Sequence, residues 1–143
     1  MIGIAPLEGM IEGETVVNGS ITGLGMINSR IHLVVESGEV VEISGGSDAR
    51  KLTKLLDSYK SEDMYKVCEI GVRVHPLMRV RGNPTEDEST RGVIVVVLGE
   101  NTHIGGRVAA AGHVDFTIIG ATLKINSDHI LVNNGKLEVI YDE

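Results

Sequence analysis

Aromatic side chains are nearly missing from these 143 residues, which hold one Phe, three Tyr and no Trp. With so few rings on which unpaired bases could stack, single-stranded nucleic acid is a poor partner. The formal net charge of -7 points the same way, because it opposes phosphate backbones and anionic membranes. Cysteine is as scarce. The single thiol, Cys68, excludes an internal disulfide framework and a thiolate zinc cluster, and it fits a reducing compartment. Long apolar runs are lacking too: VIVVVL, at 93–98, falls far short of the ~20 residues that a membrane helix needs. The opening MIGIAPLEG has neither the basic region nor the apolar core of a secretory signal. These shortages predict a soluble, cytoplasmic protein with no nucleic-acid or membrane partner.

What is abundant is glycine, with 18 residues spread along the chain, as expected for short strands joined by tight turns. IHLVVESGEVVEI, at 31–43, places two apolar-rich arms around Ser37-Gly38, a hairpin signal. HILVNNGKLEVIY repeats the design around Asn134-Gly135. One helix is predicted over about 47–59, where Leu52, Leu55, Leu56 and Tyr59 recur at helical spacing, with Ser47 as cap and Asp48 in the first turn. KVCEIGVRVH, at 66–75, alternates, which turns Cys68, Ile70, Val72 and Val74 one way and Glu69, Arg73 and His75 the other. VIVVVL does not alternate and reads as a central strand covered on both faces. RGNPTEDESTRG reads as a polar loop, and LGENTHIGGRVAAAGH as a glycine-rich one. The predicted class is α+β, predominantly mixed or antiparallel strands with one main helix, in a single domain over 1–143.

Chemistry concentrates in GHVDFTIIG, at 112–120. On a strand His113 and Asp115 project from one face, and imidazole with carboxylate suits zinc, iron, cobalt or manganese. The same pair also reads as a solvated or hydrogen-bonded strand couple. A metal site needs further ligands: Glu69 from its own strand, or His103 swinging in from the glycine-rich loop. Glu69 has an equally simple reading as a solvent-facing partner of Arg73. His32 and His129 lie in the hairpin regions and read as framework. Hydrolase elbows, phosphate loops and HExxH helices do not occur, and Cys68 is predicted on the apolar side, away from His75.

In order, IAPLEGMIEGETVVNGSI, LVVESGEVVEISGG, EIGVRVHP, EDESTRGVIVVVLGEN, GHVDF and ATLKIN resemble the C-terminal part of the thermophilic metallo-aminopeptidases, the leucyl aminopeptidase family with aminopeptidases T and S. The 2,5-dihydroxypyridine dioxygenases are similar to the same region. The aminopeptidase resemblance implies a two-metal exopeptidase, or hydrolase, acting on a peptide or other small-molecule substrate and forming a homo-oligomer, a dimer by preference. It assigns Glu69, His113 and Asp115 as ligands of a divalent metal. Val95 stands where the family segment GTVHIALG has its histidine, and Thr102 and His103 stand near its tyrosine. The glutamate before IAP and the N-terminal α/β domain have no counterpart here. The dioxygenases' His, His, Asp iron site is likewise broken at Val95. The resemblance therefore implies a leucyl-aminopeptidase-like metalloprotein with an incomplete site, His103 being the substitute ligand. The alternative is a non-catalytic binding or oligomeric assembly module derived from that family.

Overall fold

The computed structural model describes residues 2–74, 92–125 and 129–138. His75, the predicted end of the alternating strand, and most of the polar loop RGNPTEDESTRG lie outside them. Strands β1 (Ile2–Ile4), β2 (Gly13–Val17), β3 (Ser20–Ile21), β4 (Gly25–Met26), β5 (Ile31–Glu36) and β6 (Glu39–Gly45) precede helix α1 (Ser47–Ser58). Strands β7 (Val67–Val72), β8 (Ile94–Gly99), β9 (His113–Ile118), β10 (Leu123–Ile125), β11 (His129–Asn133) and β12 (Lys136–Leu137) follow. They form a six-stranded sheet ordered β1-β7-β8-β9-β3-β4 and two three-stranded sheets, β2-β5-β6 and β10-β11-β12. Every strand pairing among the described residues is antiparallel. The fold is α+β, predominantly β, with one main helix.

Local chemistry accounts for the turns. Ser37 and Gly38 sit at φ 49° and 77°, and Asn134 and Gly135 at 47° and 77°. Two successive left-handed residues make the hairpin turn whose twist matches that of its strands. Strand β8 lies between β7 and β9 and is covered on both faces, as its unbroken apolar run requires.

The main core fills the space between the two larger sheets and α1. Leu98, Val114 and Phe116 from one sheet meet Val17, Ile31 and Leu33 from the other, with Leu52 and Leu56 of the helix. Leu55 and Tyr59 flank this stripe half-buried. Toward one end, Val72, Ile94 and Ile118 pack with Val132 from the small sheet. The opposite face of β7 and β8 carries a separate cluster of Cys68, Val95, Val97 and Val108. No helix among the described residues is long and apolar enough to cross a membrane.

One local expectation is corrected, and Asp48 stands in the first turn as expected. Ser47 is the first helical residue rather than the cap; Gly46 holds the cap position and provides no side-chain hydrogen bond. The side chain that matters at this end is Asp48, which is buried and accepts the backbone N–H groups of Asn28 (2.7 Å) and Ser29 (2.9 Å). It therefore ties the helix to the β4–β5 connection as well as facing the helix dipole. Those backbone bonds, first Ser29 and then Asn28, hold its carboxyl below the ordinary 3.8 against the opposing effect of burial, and Lys51 adds to them. A depressed carboxylate contributes stability above its unfolded pKa and loses it as pH falls through the folded one. Asp48→Ala should accordingly lower Tm by several degrees at pH 7, with the difference shrinking as the pH drops below 3.8; thermal melts across pH 2–7 check this.

Candidate functional site

Hydrogen-bond register decides which candidate ligands share a face. Val97 of β8 stands opposite Glu69 on one side and Asp115 on the other. Val95 stands opposite Gly71 and Thr117, and Gly99 opposite His113. Opposed residues in an antiparallel sheet point to the same face, so Glu69, Val95, Val97, Asp115 and His113 all belong to one side. Glu69 is nevertheless a full strand removed from Asp115, with Val97 between them. It is also buried, as is Arg73, which corrects the solvent-facing reading of that pair.

The predicted placement of Cys68 on the opposite face is also corrected. The β7–β8 register shifts between Val67 and Glu69, and this irregularity turns Cys68 toward Val95, Val97 and Val108. Its Sγ lies 3.3 Å from the Val97 carbonyl and 3.5 Å from that of Glu100. Burial, followed by the negative charges of Glu69, Asp115 and Glu100, pushes the thiol up to about 12. A thiol in this state is inert rather than nucleophilic.

Asp115 and His113 begin β9 after the glycine-rich loop. Asp115 Oδ1 is buried without a hydrogen-bond partner and lies 3.8 Å from His113 Nε2. His113 is half-exposed. Above it, residues 102–104 form a single 3-10 turn that presents His103, whose ring centroid is 6.0 Å from that of His113 with the planes tilted by 33°. His103 Nδ1 lies 3.0 Å from Glu100 Oε2, and the other Glu100 oxygen accepts both the N–H and the hydroxyl of Thr102. The Thr102 hydroxyl is the largest influence holding the Glu100 carboxyl down to about 2, with His103 and the Thr102 N–H adding to it against desolvation.

The structure thus brings His103, His113 and Asp115 to one rim and leaves Glu69 apart. Among the described residues no three His, Cys, Asp or Glu side chains are already closed around a single point. An ion with metal–nitrogen bonds of about 2.1 Å puts two coordinated imidazole centroids roughly 4.5–5 Å apart and neighbouring donor atoms roughly 3–3.5 Å apart. The 6.0 Å between the two rings and the 3.8 Å from His113 Nε2 to Asp115 Oδ1 are both wider, so a shared ion would require the two half-exposed rings to move inward.

The sequence reading missed Asn101, which is fully buried. Its Nδ2 donates to the Cys68 carbonyl (2.8 Å), its Oδ1 accepts the Val108 N–H (2.9 Å), and its carbonyl accepts the Gly106 N–H (3.0 Å). A Cβ on Gly106 would lie 2.1 Å from the Asn101 side chain, so glycine is required there by space. The run Glu100-Asn101-Thr102 directly after a strand was the available signal, since short polar side chains there bond to nearby backbone. Asn101→Ala should cost about 3 kcal/mol in urea unfolding, because two buried backbone groups lose partners worth ~1–3 kcal/mol each. Native Cys68 should resist alkylation at pH 8.5 and react once urea is added, as a mass-shift assay would show.

The comparisons bear on this geometry. The sequence model of the 2,5-dihydroxypyridine 5,6-dioxygenase family matches residues 1–139. The fold is similar to the structure of 2,5-dihydroxypyridine dioxygenase from Pseudomonas putida KT2440, at TM-score 0.83 and 23% identity over 96% of this chain and 43% of that one. The chain therefore spans less than half the length of that relative. A search of curated proteins finds no match. The family match overturns the leucyl-aminopeptidase reading, with its hydrolase and metalloprotease activity, and gives no better support to a non-catalytic assembly module. Val97, standing between Glu69 and Asp115, agrees with the loss of the two-metal expectation. Matched over residues 1–139, the chain belongs to the 2,5-dihydroxypyridine 5,6-dioxygenase family.

Proposed function

We propose that this chain is a single domain contributing a one-ion, non-haem oxygenase-type site, with His103, His113 and Asp115 as its protein ligands. Two imidazoles and one carboxylate are the donor set of non-haem iron(II) oxygenases, and they leave coordination positions open. The observation that carries the reading is the buried, partnerless Asp115 Oδ1 beside His113 Nε2. A carboxylate oxygen shut away from water without a donor is costly, and a cation removes that cost. Val95 offers no lone pair from the strand, and His103 supplies the second imidazole from the adjoining loop. Glu69 stands outside the set.

A divalent ion held there, iron for an oxygenase, supplies the redox chemistry toward dioxygen. The chain's own residues do the rest. His113 and Asp115 hold the site from the strand, and His103 closes it from the loop. Val95, Val97 and Val108 keep water from its sheet side. By analogy with the substrate in the relative's name, the ligand class is a small hydroxylated nitrogen heteroaromatic ring.

Equilibrium dialysis followed by metal analysis tests the reading. Wild type should retain about one iron(II), manganese(II) or cobalt(II) per chain, and His113→Ala, which removes a direct ligand, should weaken affinity by more than the ~10–100-fold of outer-shell changes. Retention no better than that of an unrelated protein would sink the proposal. Oxygen uptake with 2,5-dihydroxypyridine then separates binding from turnover.

A further inference from the structure

Glu100 lies outside the proposed ligand set, and its position gives it a separate task. Its carboxylate is held by donors from its own turn: Oε1 accepts the Thr102 N–H and hydroxyl, which leaves Oε2 aimed at His103 Nδ1, 3.0 Å away. A carboxylate has no proton to give, so this short contact requires the hydrogen to sit on Nδ1 of the ring. A neutral imidazole carries only one such hydrogen, and the lone pair is then left on Nε2. We infer that Glu100 is a positioning residue, which selects the Nδ1–H tautomer of His103 and so leaves the lone pair on Nε2, on a ring whose centroid lies 6.0 Å from that of His113.

The inference deepens the one-ion reading and rests on it for what Nε2 is offered to, but the tautomer can be read without metal. Metal-bound histidines commonly donate their second ring N–H to a carboxylate, which fixes ring orientation as well as tautomer. The rest of the site matches that need. His103 sits on one turn of 3-10 helix and is half-exposed, so packing alone does not hold its ring. Thr102 fixes the carboxylate, and Asn101 anchors the segment to β7 through the Cys68 carbonyl. A chain of three consecutive residues therefore orients the fourth.

The test is histidine-ring nitrogen NMR on the metal-free protein at about pH 8, where ordinary imidazoles are neutral. Wild-type His103 should show the Nδ1–H form. Glu100→Ala should return it to the Nε2–H form usual for an unrestrained ring, and Glu100→Gln should do the same, because its one amide oxygen is taken by the Thr102 donors and its NH2 then faces Nδ1. Cobalt(II) affinity should fall in both variants, with a loss of roughly tenfold in Glu100→Ala. Circular dichroism should be the same for all three, since Glu100 lies at the surface. An Nε2–H ring in wild type, or a ring unchanged in Glu100→Ala, overturns the inference whatever the cobalt titration gives. An Nδ1–H ring that depends on Glu100, in a protein that binds no cobalt, instead overturns the one-ion reading and leaves the tautomer selection standing.

Discussion

Asn101 is where loop and sheet become one object. Its amide is buried, and each end of it is matched to a main-chain group of opposite character: a carbonyl on the irregular part of β7 and an N–H on the returning arm of the loop. Such an arrangement is directional in a way that apolar contact is not, because an amide turned end for end would face a donor with a donor. The apolar patch of Cys68, Val95, Val97 and Val108 depends on it, since Val108 roofs that patch only while its backbone is held by Asn101. The rim carrying His103 depends on it as well.

Polar and apolar parts of this face have divided the space between them. Across the middle of the sheet, Val95 and Val97 form a dry floor, with Glu69 on one side and Asp115 on the other. In such surroundings burial and the neighbouring negative charges keep Cys68 a thiol. The charged chemistry is displaced to the edge of the floor, where His113 and His103 reach water. A site at that edge is open to small molecules and still has one low-dielectric wall.

Much of the framework was legible from residues alone. Ser37-Gly38 and Asn134-Gly135 have few other uses than tight turns, the leucine stripe from Leu52 to Leu56 has helical period, and an unbroken run of valines belongs in a sheet interior. The face of Cys68 was not legible, because strict alternation assumes an unshifted ladder and the register slips beside it. Nor was the true role at the helix start, where Ser47 has the right chemistry for a cap but Asp48 has a longer-range task with Asn28 and Ser29. At the site, the pairing of His113 with Asp115 followed from a period of two. The separation of Glu69 from them depends on strand order, which no local spacing records. The family reading went astray as well: the phrases of sequence assigned to the aminopeptidases belong to a chain that matches the 2,5-dihydroxypyridine 5,6-dioxygenase family over residues 1–139.

The loop of residues 100–112 leaves and rejoins the sheet at almost the same point. Glu100 N–H bonds the Gly112 carbonyl, and Gly99 lies so close to that carbonyl that a Cβ would be 2.2 Å from it. With its feet together and its waist tied by Asn101, it is a closed Ω-type unit whose conformation is settled largely within itself. Residues at its crest, Thr102 and His103, are exposed and take no part in strand pairing. The fold therefore sets its candidate residues in two mechanical compartments: His113 and Asp115 are fixed by the ladder of the sheet, and His103 by a loop that is shaped from within.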